Sequence, residues 1–114
     1  MAPLPADDVR VLDEALADFW ARHRKDADRA GAAWRALVAK RAALLSDCMR
    51  CDIFRPPRWP ANLPKAKLFV IKGLPHGFRG LYSLQRVPSV GLVVQIEWIG
   101  DHDEYDKAFG YATS

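Results

Sequence analysis

Residues that ligate metals or carry redox chemistry are scarce in this sequence. It holds two cysteines and three histidines in 114 residues. Cys48 and Cys51 are spaced C-x-x-C, which fits a redox pair or half a zinc site. A structural zinc needs four ligands. Neither a second C-x-x-C nor an H-x-x-x-H is present, and His23, His76 and His102 are scattered. Redox pairs of this spacing usually open a helix after a strand, whereas Cys48 follows a long helix-patterned segment. Two reduced thiols are the expectation, and no metal or cofactor is implied. No apolar run nears the roughly 20 residues needed to cross a bilayer, so no membrane partner is expected. The opening MAPLPADDVR lacks the basic-then-apolar order of a signal peptide, and the expected location is the cytoplasm. Internal repeats and low-complexity segments are also missing.

What is present suits one domain spanning residues 1–114. Half of the residues are hydrophobic and 27% are charged, ordinary values for a globular chain. A chain of this size buries about two thirds of its unfolded surface and folds without staples. The net charge of +3 and pI of about 9.1 lean mildly towards anionic partners.

The pattern divides into a helical half and a strand-like half. Val9, Leu12, Leu16, Phe19 and Trp20 recur at helical spacing, which predicts a helix over 6–24 behind Pro3 and Pro5. A turn near 25–28 leads to a second helix marked by Ala30, Trp34, Leu37, Val38, Leu44 and Leu45, ending near 46–47. Residues 52–64 carry four prolines, which exclude a regular helix or a central strand. Three strand-like runs follow at 65–72, 79–86 and 90–99, joined by short connectors with proline or glycine, as an antiparallel meander requires. The expected fold is therefore α+β: an N-terminal helical hairpin on an antiparallel meander of three or more strands, then a short C-terminal helix.

Alternation along the strands predicts which face the helices cover. Leu92, Val94, Ile96 and Trp98 share one parity, and Tyr82, Leu84, Leu68 and Val70 join them. The opposite, open face then collects Lys65, Lys67, Arg79, Ser83, Gln85, Gln95 and Glu97. It is polar and partly cationic.

Just past the last strand, residues 98–109 read WIGDHDEYDKAF. This run packs proton-carrying groups beside that open face. Together with FRGLYSL at 78–84, it resembles the RelE/ParE toxin superfamily of bacterial toxin–antitoxin systems. The ending is closest to the HigB-type branch, in which a strand runs into a glycine, a histidine and an EYDK-like stretch. Many superfamily members open with a short strand before the hairpin, and none is expected here. The resemblance implies a toxin that cuts mRNA, often on the ribosome, and is silenced by a cognate antitoxin. It matches His102, Tyr105 and Asp106 to the family's C-terminal cluster and Arg79 to its strand arginine. The alternative within the fold is a non-catalytic binder: a ParE-like toxin directed at gyrase, or a degenerate member that only binds its antitoxin.

The residue chemistry suits RNA cleavage without metal. The 2′-hydroxyl must lose a proton, the phosphorane needs charge stabilisation, and the 5′-oxygen must gain a proton. An imidazole titrating near pH 6.5 serves either proton transfer. Arginine grips phosphate in bidentate fashion. Tyr105 is expected to stack on a base or carry a proton, and Asp101 or Asp106 to hold His102 in one tautomer. Lys65, Lys67, Gln85 and Lys107 are the expected RNA-binding groups, offsetting the nearby carboxylates. Structural roles stand beside these: His102 as a helix cap, Tyr105 and Phe109 as packing, and Arg79 as a surface charge.

Overall fold

The computed structural model describes residues 2–111. Five strands form one mixed sheet: β1 (Asp8–Val11), β2 (Asp52–Ile53), β3 (Leu68–Ile71), β4 (Arg79–Val87) and β5 (Gly91–Gly100). Their spatial order is β1-β5-β4-β3-β2. β1 runs parallel to β5, and the other pairs are antiparallel. The helices are α1 (Asp13–Arg22), α2 (Ala27–Ala39), α3 (Arg41–Ser46) and α4 (His102–Phe109), with a 3-10 turn at Arg24–Asp26 between α1 and α2.

The first turns of the expected opening helix are instead a strand. Val9 and Val11 are β-branched residues alternating with Asp8 and Arg10, a pattern that suits a pleated surface. The free edge of β5 supplies partners, from Asp8 opposite Val93 to Val11 opposite Ile96. Asp7 fixes the register by donating its amide to Leu92 O (2.7 Å) and accepting from Leu92 N at Oδ2 (2.8 Å). The second predicted helix is likewise interrupted at Lys40, which separates α2 from α3. The proline-rich connector starts with β2, whose pairing with β3 extends the sheet by one strand.

One core lies between the sheet and α1–α3. Phe19, Ala33, Leu37 and Leu44 meet Phe69, Ile71, Tyr82, Val94, Ile96 and Ile99 there. Tyr82 stacks on Phe69, with centroids 5.1 Å apart, and donates its hydroxyl to Cys48 O at 2.8 Å. Tyr82→Phe leaves that buried carbonyl unpaired. We expect it to lower unfolding stability by about 1 kcal/mol, measured by urea titration.

The opposite sheet face is not open. α4 and the proline-rich connector cover much of it with a second core: Phe54, Leu63, Leu68, Val70, Leu81, Trp98, Tyr105 and Phe109. This corrects the expected parity of Leu68, Val70 and Trp98. All four residues of β3 are buried, as in a strand covered on both sides, so its apolar run carries no alternation to read. Trp98 changes face because of a β-bulge. Leu81 is opposite Trp98 and Tyr82 is opposite Ile96, so Glu97 has no partner on β4. An extra residue reverses the parity of everything beyond it.

α4 is fixed at both ends. Asp101 Oδ1 accepts from Glu104 N (2.9 Å) while Glu104 Oε1 accepts from Asp101 N (2.9 Å), a reciprocal capping box. The helix closes on Gly110 at φ 79°, the left-handed conformation that glycine adopts at no steric cost. Arg58 of the connector donates to the carbonyls of Lys107 and Ala108. A guanidinium there also complements the negative end of the helix dipole.

Candidate functional site

The start of β4 and the first turns of α4 meet at one corner of the second face. Arg79, the first residue of β4, pairs in register with Gly100, the last of β5. Its guanidinium carbon lies 4.6 Å from the centre of the Tyr105 ring, within cation–π range. One helical turn relates His102 to Asp106, and the His102 Nδ1 sits 3.2 Å from Asp106 Oδ2. The turn preceding Arg79 also closes on this helix, since a Cβ at Gly77 would stand 3.3 Å from His102 Cβ.

The geometry assigns different environments to these four residues. The His102 side chain is 49% exposed, while that of Asp106 is 7% exposed. The Nδ1 of His102 faces Asp106 across this distance without making a hydrogen bond to it, and Nε2 is the other ring nitrogen able to exchange a proton. Asp101 is occupied as the helix cap, and Asp106 is the carboxylate nearest the imidazole. His102 is the first residue of α4 and not its cap.

Tyr105 is 5% exposed. Its ring stacks on Tyr111 with centroids 5.1 Å apart and packs against Phe54, Trp98 and Phe109. A ring so enclosed offers no face for a nucleobase. Burial and the neighbouring Tyr111 push its hydroxyl above the ordinary tyrosine range, outweighing the opposite pull of Arg79. Its place is the floor on which Arg79 lies. Tyr105→Phe keeps that ring, and we expect it to retain any activity Arg79 supports, as read by growth arrest on expression.

The expected RNA-binding groups do not converge on this corner. Lys67 Nζ lies 6.0 Å from the ring of Phe69, a side chain belonging to the helix-side core. Lys67 and Arg79 therefore do not form one clamp. Lys65 is exposed in the connector before β3. Gln85 sits six residues along β4 from Arg79, about 20 Å at strand rise, and donates to Ser83 Oγ (2.9 Å). Lys107 is on the flank of α4 away from His102, lining a shallow groove with Arg22 and Trp98.

A brace beside the corner was not anticipated. Glu104 on α4 accepts from His23 Nε2 at 2.6 Å and from Arg22. Arg22 also donates to Asp18 Oδ2 (2.9 Å) and to Ile99 O (2.5 Å). His23 is 3% exposed, and its other nitrogen faces Asp26 Oδ1 at 3.0 Å. Burial alone would raise the Glu104 carboxyl; Arg22, the Asp101 amide and His23 outweigh it and hold it below the usual range. The D-x-x-E spacing of Asp101 and Glu104 announces the cap, but nothing local announces the partners on α1. Ligand atoms of His23, Asp101 and Glu104 lie within 4.8 Å of one another, close enough for one ion, and each already makes the hydrogen bonds just described.

Protein-family models, curated proteins and solved structures give no match to this chain. Among the described residues, no helix is long and apolar enough to cross a membrane.

Proposed function

We propose that the protein is a toxin of the RelE/HigB type: a cytoplasmic, metal-independent endoribonuclease that cleaves mRNA and is neutralised by a cognate antitoxin. The observation that carries this reading is Arg79 lying over the ring of Tyr105, on the same helix that holds His102 and Asp106 close together. An always-charged guanidinium and a half-exposed imidazole near a carboxylate, gathered around one helix, suit a phosphodiester. Arg79 grips the phosphate through its N–H donors. Nε2 of His102 takes the proton of the 2′-hydroxyl or returns one to the departing 5′-oxygen. Asp106 lies within reach of Nδ1 to accept its N–H once the ring turns towards it, and Tyr105 supports Arg79 from below. A strand ahead of the helices, which Asp8–Val11 supplies, also agrees with the superfamily resemblance.

Induced expression tests the reading. Growth should stop with translation arrested and mRNA cleaved, and Arg79→Ala should relieve the arrest. The second reading is a non-catalytic binder of the same fold, such as a ParE-like toxin. It draws support from the burial of Tyr105 and from the dispersal of Lys65, Lys67 and Lys107. DNA-damage signalling with intact mRNA would favour it.

A further inference from the structure

The outer edge of β1 is left unpaired by the sheet. β1 stands at one end of the strand order, so among the described residues no strand lies on its far side. Leu12 N donates to Ile96 O, and the parallel register sets Arg10 against Gln95. Backbone groups alternate along a strand. Asp8, Arg10 and Leu12 therefore face β5, while Val9 and Val11 turn their N–H and C=O groups to the open edge. The strand at the other end, β2, is two residues long and is soon followed by Pro56 and Pro57, which leaves little to pair.

An open edge is a template for pairing unless it is blunted. Asp8 covers this one. Its Oδ1 accepts from Val9 N (2.9 Å) and from Arg41 (3.1 Å), and its Oδ2 accepts from Arg10 Nε (3.1 Å). The cover is a surface ion pair, with the Asp8 side chain 30% exposed and that of Arg10 47% exposed. Such pairs contribute little and are exchanged at small cost. On the helix side of the edge lies an apolar groove of about 180 Å³, with walls from Val9, Val11, Trp34, Val38 and Leu44. Val38 is 51% exposed. The nuclease reading uses neither the edge nor the groove.

The order Asp8, Val9, Arg10 identifies the occupant by charge. Two copies of β1 related by a two-fold axis run antiparallel, and their contact is self-complementary. With the axis at Val9, its N–H and C=O exchange bonds with those of the second Val9. Asp8 then stands opposite Arg10 of the other copy, once on each side of the axis. These flanking positions are the non-hydrogen-bonded pairs, where side chains come closest. A register centred on Asp8 or on Arg10 sets like charges face to face, which is destabilising. A centre at Val11 sets Arg10 opposite Leu12 and Val9 opposite Asp13. Of these registers, the one at Val9 alone pairs the charges. On forming it, the Val9 N–H passes from the Asp8 carboxylate to a carbonyl, and Asp8 trades its own Arg10 for that of the second copy. The axis is perpendicular to the sheet, so both helical layers lie on one side and the two apolar grooves adjoin.

We propose that the protein forms a two-fold dimer through β1, joining two five-stranded sheets edge to edge with Val9 on the axis. The test is analytical ultracentrifugation of the full chain and of two variants, Asp8→Arg and Arg10→Asp, at physiological salt. The parent is expected to sediment as a dimer. Each variant turns both opposite-charge pairs into like-charge pairs, and should raise the dimer dissociation constant about tenfold or more. Mixed in equal amounts, the variants restore both pairs, one chain supplying two arginines and the other two aspartates. The mixture should sediment as a heterodimer, and that recovery also shows that neither variant is misfolded. Oxidation reads the register, judged against the parent with its own Cys48 and Cys51. Val9→Cys, on the axis, should cross-link two chains. Two copies of Val11→Cys stand about 13 Å apart along the strands and should not. A parent that stays monomeric at every concentration would overturn the proposal. So would single variants that dimerise as well as the parent, a mixture no tighter than either variant, or cross-linking through Val11→Cys in preference to Val9→Cys.

Discussion

His102→Ala is expected to lower mRNA cleavage by about a hundredfold or more and to lift growth arrest, with the fold unchanged. A positioned general acid or base contributes about 10²- to 10⁴-fold, and the imidazole is the exposed proton carrier of the corner. The side chain is half open and heads α4 without capping it, so its removal leaves Asp101, Glu104 and the second core intact. Cleavage in lysates and thermal melting should be measured on the same preparation. A variant that melts like the parent and still cleaves RNA at the parent rate would remove His102 from the mechanism. His102→Gln retains much of the shape without a titrating ring, and should be as inactive as the alanine variant.

Glu104→Ala should damage stability more than Tyr82→Phe. It leaves Arg22 without its α4 partner and His23 buried with one nitrogen unanswered, and it opens the capping box. Removing one member of a partly buried charged network costs about 3 kcal/mol here, the low end of the figure for a fully buried pair, because the carboxyl remains partly wet. For a chain of this size that corresponds to a fall in Tm of about 10 °C. The pH dependence provides a sharper check. The folded carboxyl titrates below its ordinary value of 4.5 because Arg22, the Asp101 amide and His23 overcome its burial. Its contribution is complete above that ordinary value and is lost as pH falls through the lowered one. The stability gap between the parent and Glu104→Gln should therefore shrink on acidification below pH 4.5. A gap that stays constant down to pH 3 would mean that the carboxylate charge is not what holds α4 to α1.

The parts of the fold legible from sequence were those with a clear local period. The β4 and β5 runs and the helix after Gly100 fall close to their expected places because turn residues bound them and their apolar residues repeat. Residues 8–11 were misread because Val9 and Leu12 fit a helical spacing as well as a strand, and the deciding partner, the edge of β5, lies about 85 positions away. Leu68, Val70 and Trp98 were assigned to the wrong face for two separate reasons. A strand buried on both sides has no polar positions to count, and a bulge leaves no mark in composition. At the site, His102 and Asp106 are four apart on one helix, so their contact follows from periodicity. Arg79 meeting Tyr105 depends on strand order, and the brace from Glu104 to Arg22 and His23 joins residues about 80 apart. Neither separation leaves a local signal.

The central claim concerns a phosphodiester held between Arg79 and His102, and the chemistry of the cut ends tests it most directly. Attack by the 2′-oxygen on phosphorus breaks the bond to the 5′-oxygen, leaving a 2′,3′-cyclic phosphate on one fragment and a 5′-hydroxyl on the other. Sequencing that captures 5′-hydroxyl ends selectively, in cells expressing the parent or His102→Ala, separates this route from hydrolysis by a water molecule. The account predicts new 5′-hydroxyl ends within messages for the parent and their loss in the variant. New ends that carry 5′-phosphate, or 5′-hydroxyl ends equally abundant in both, would contradict it.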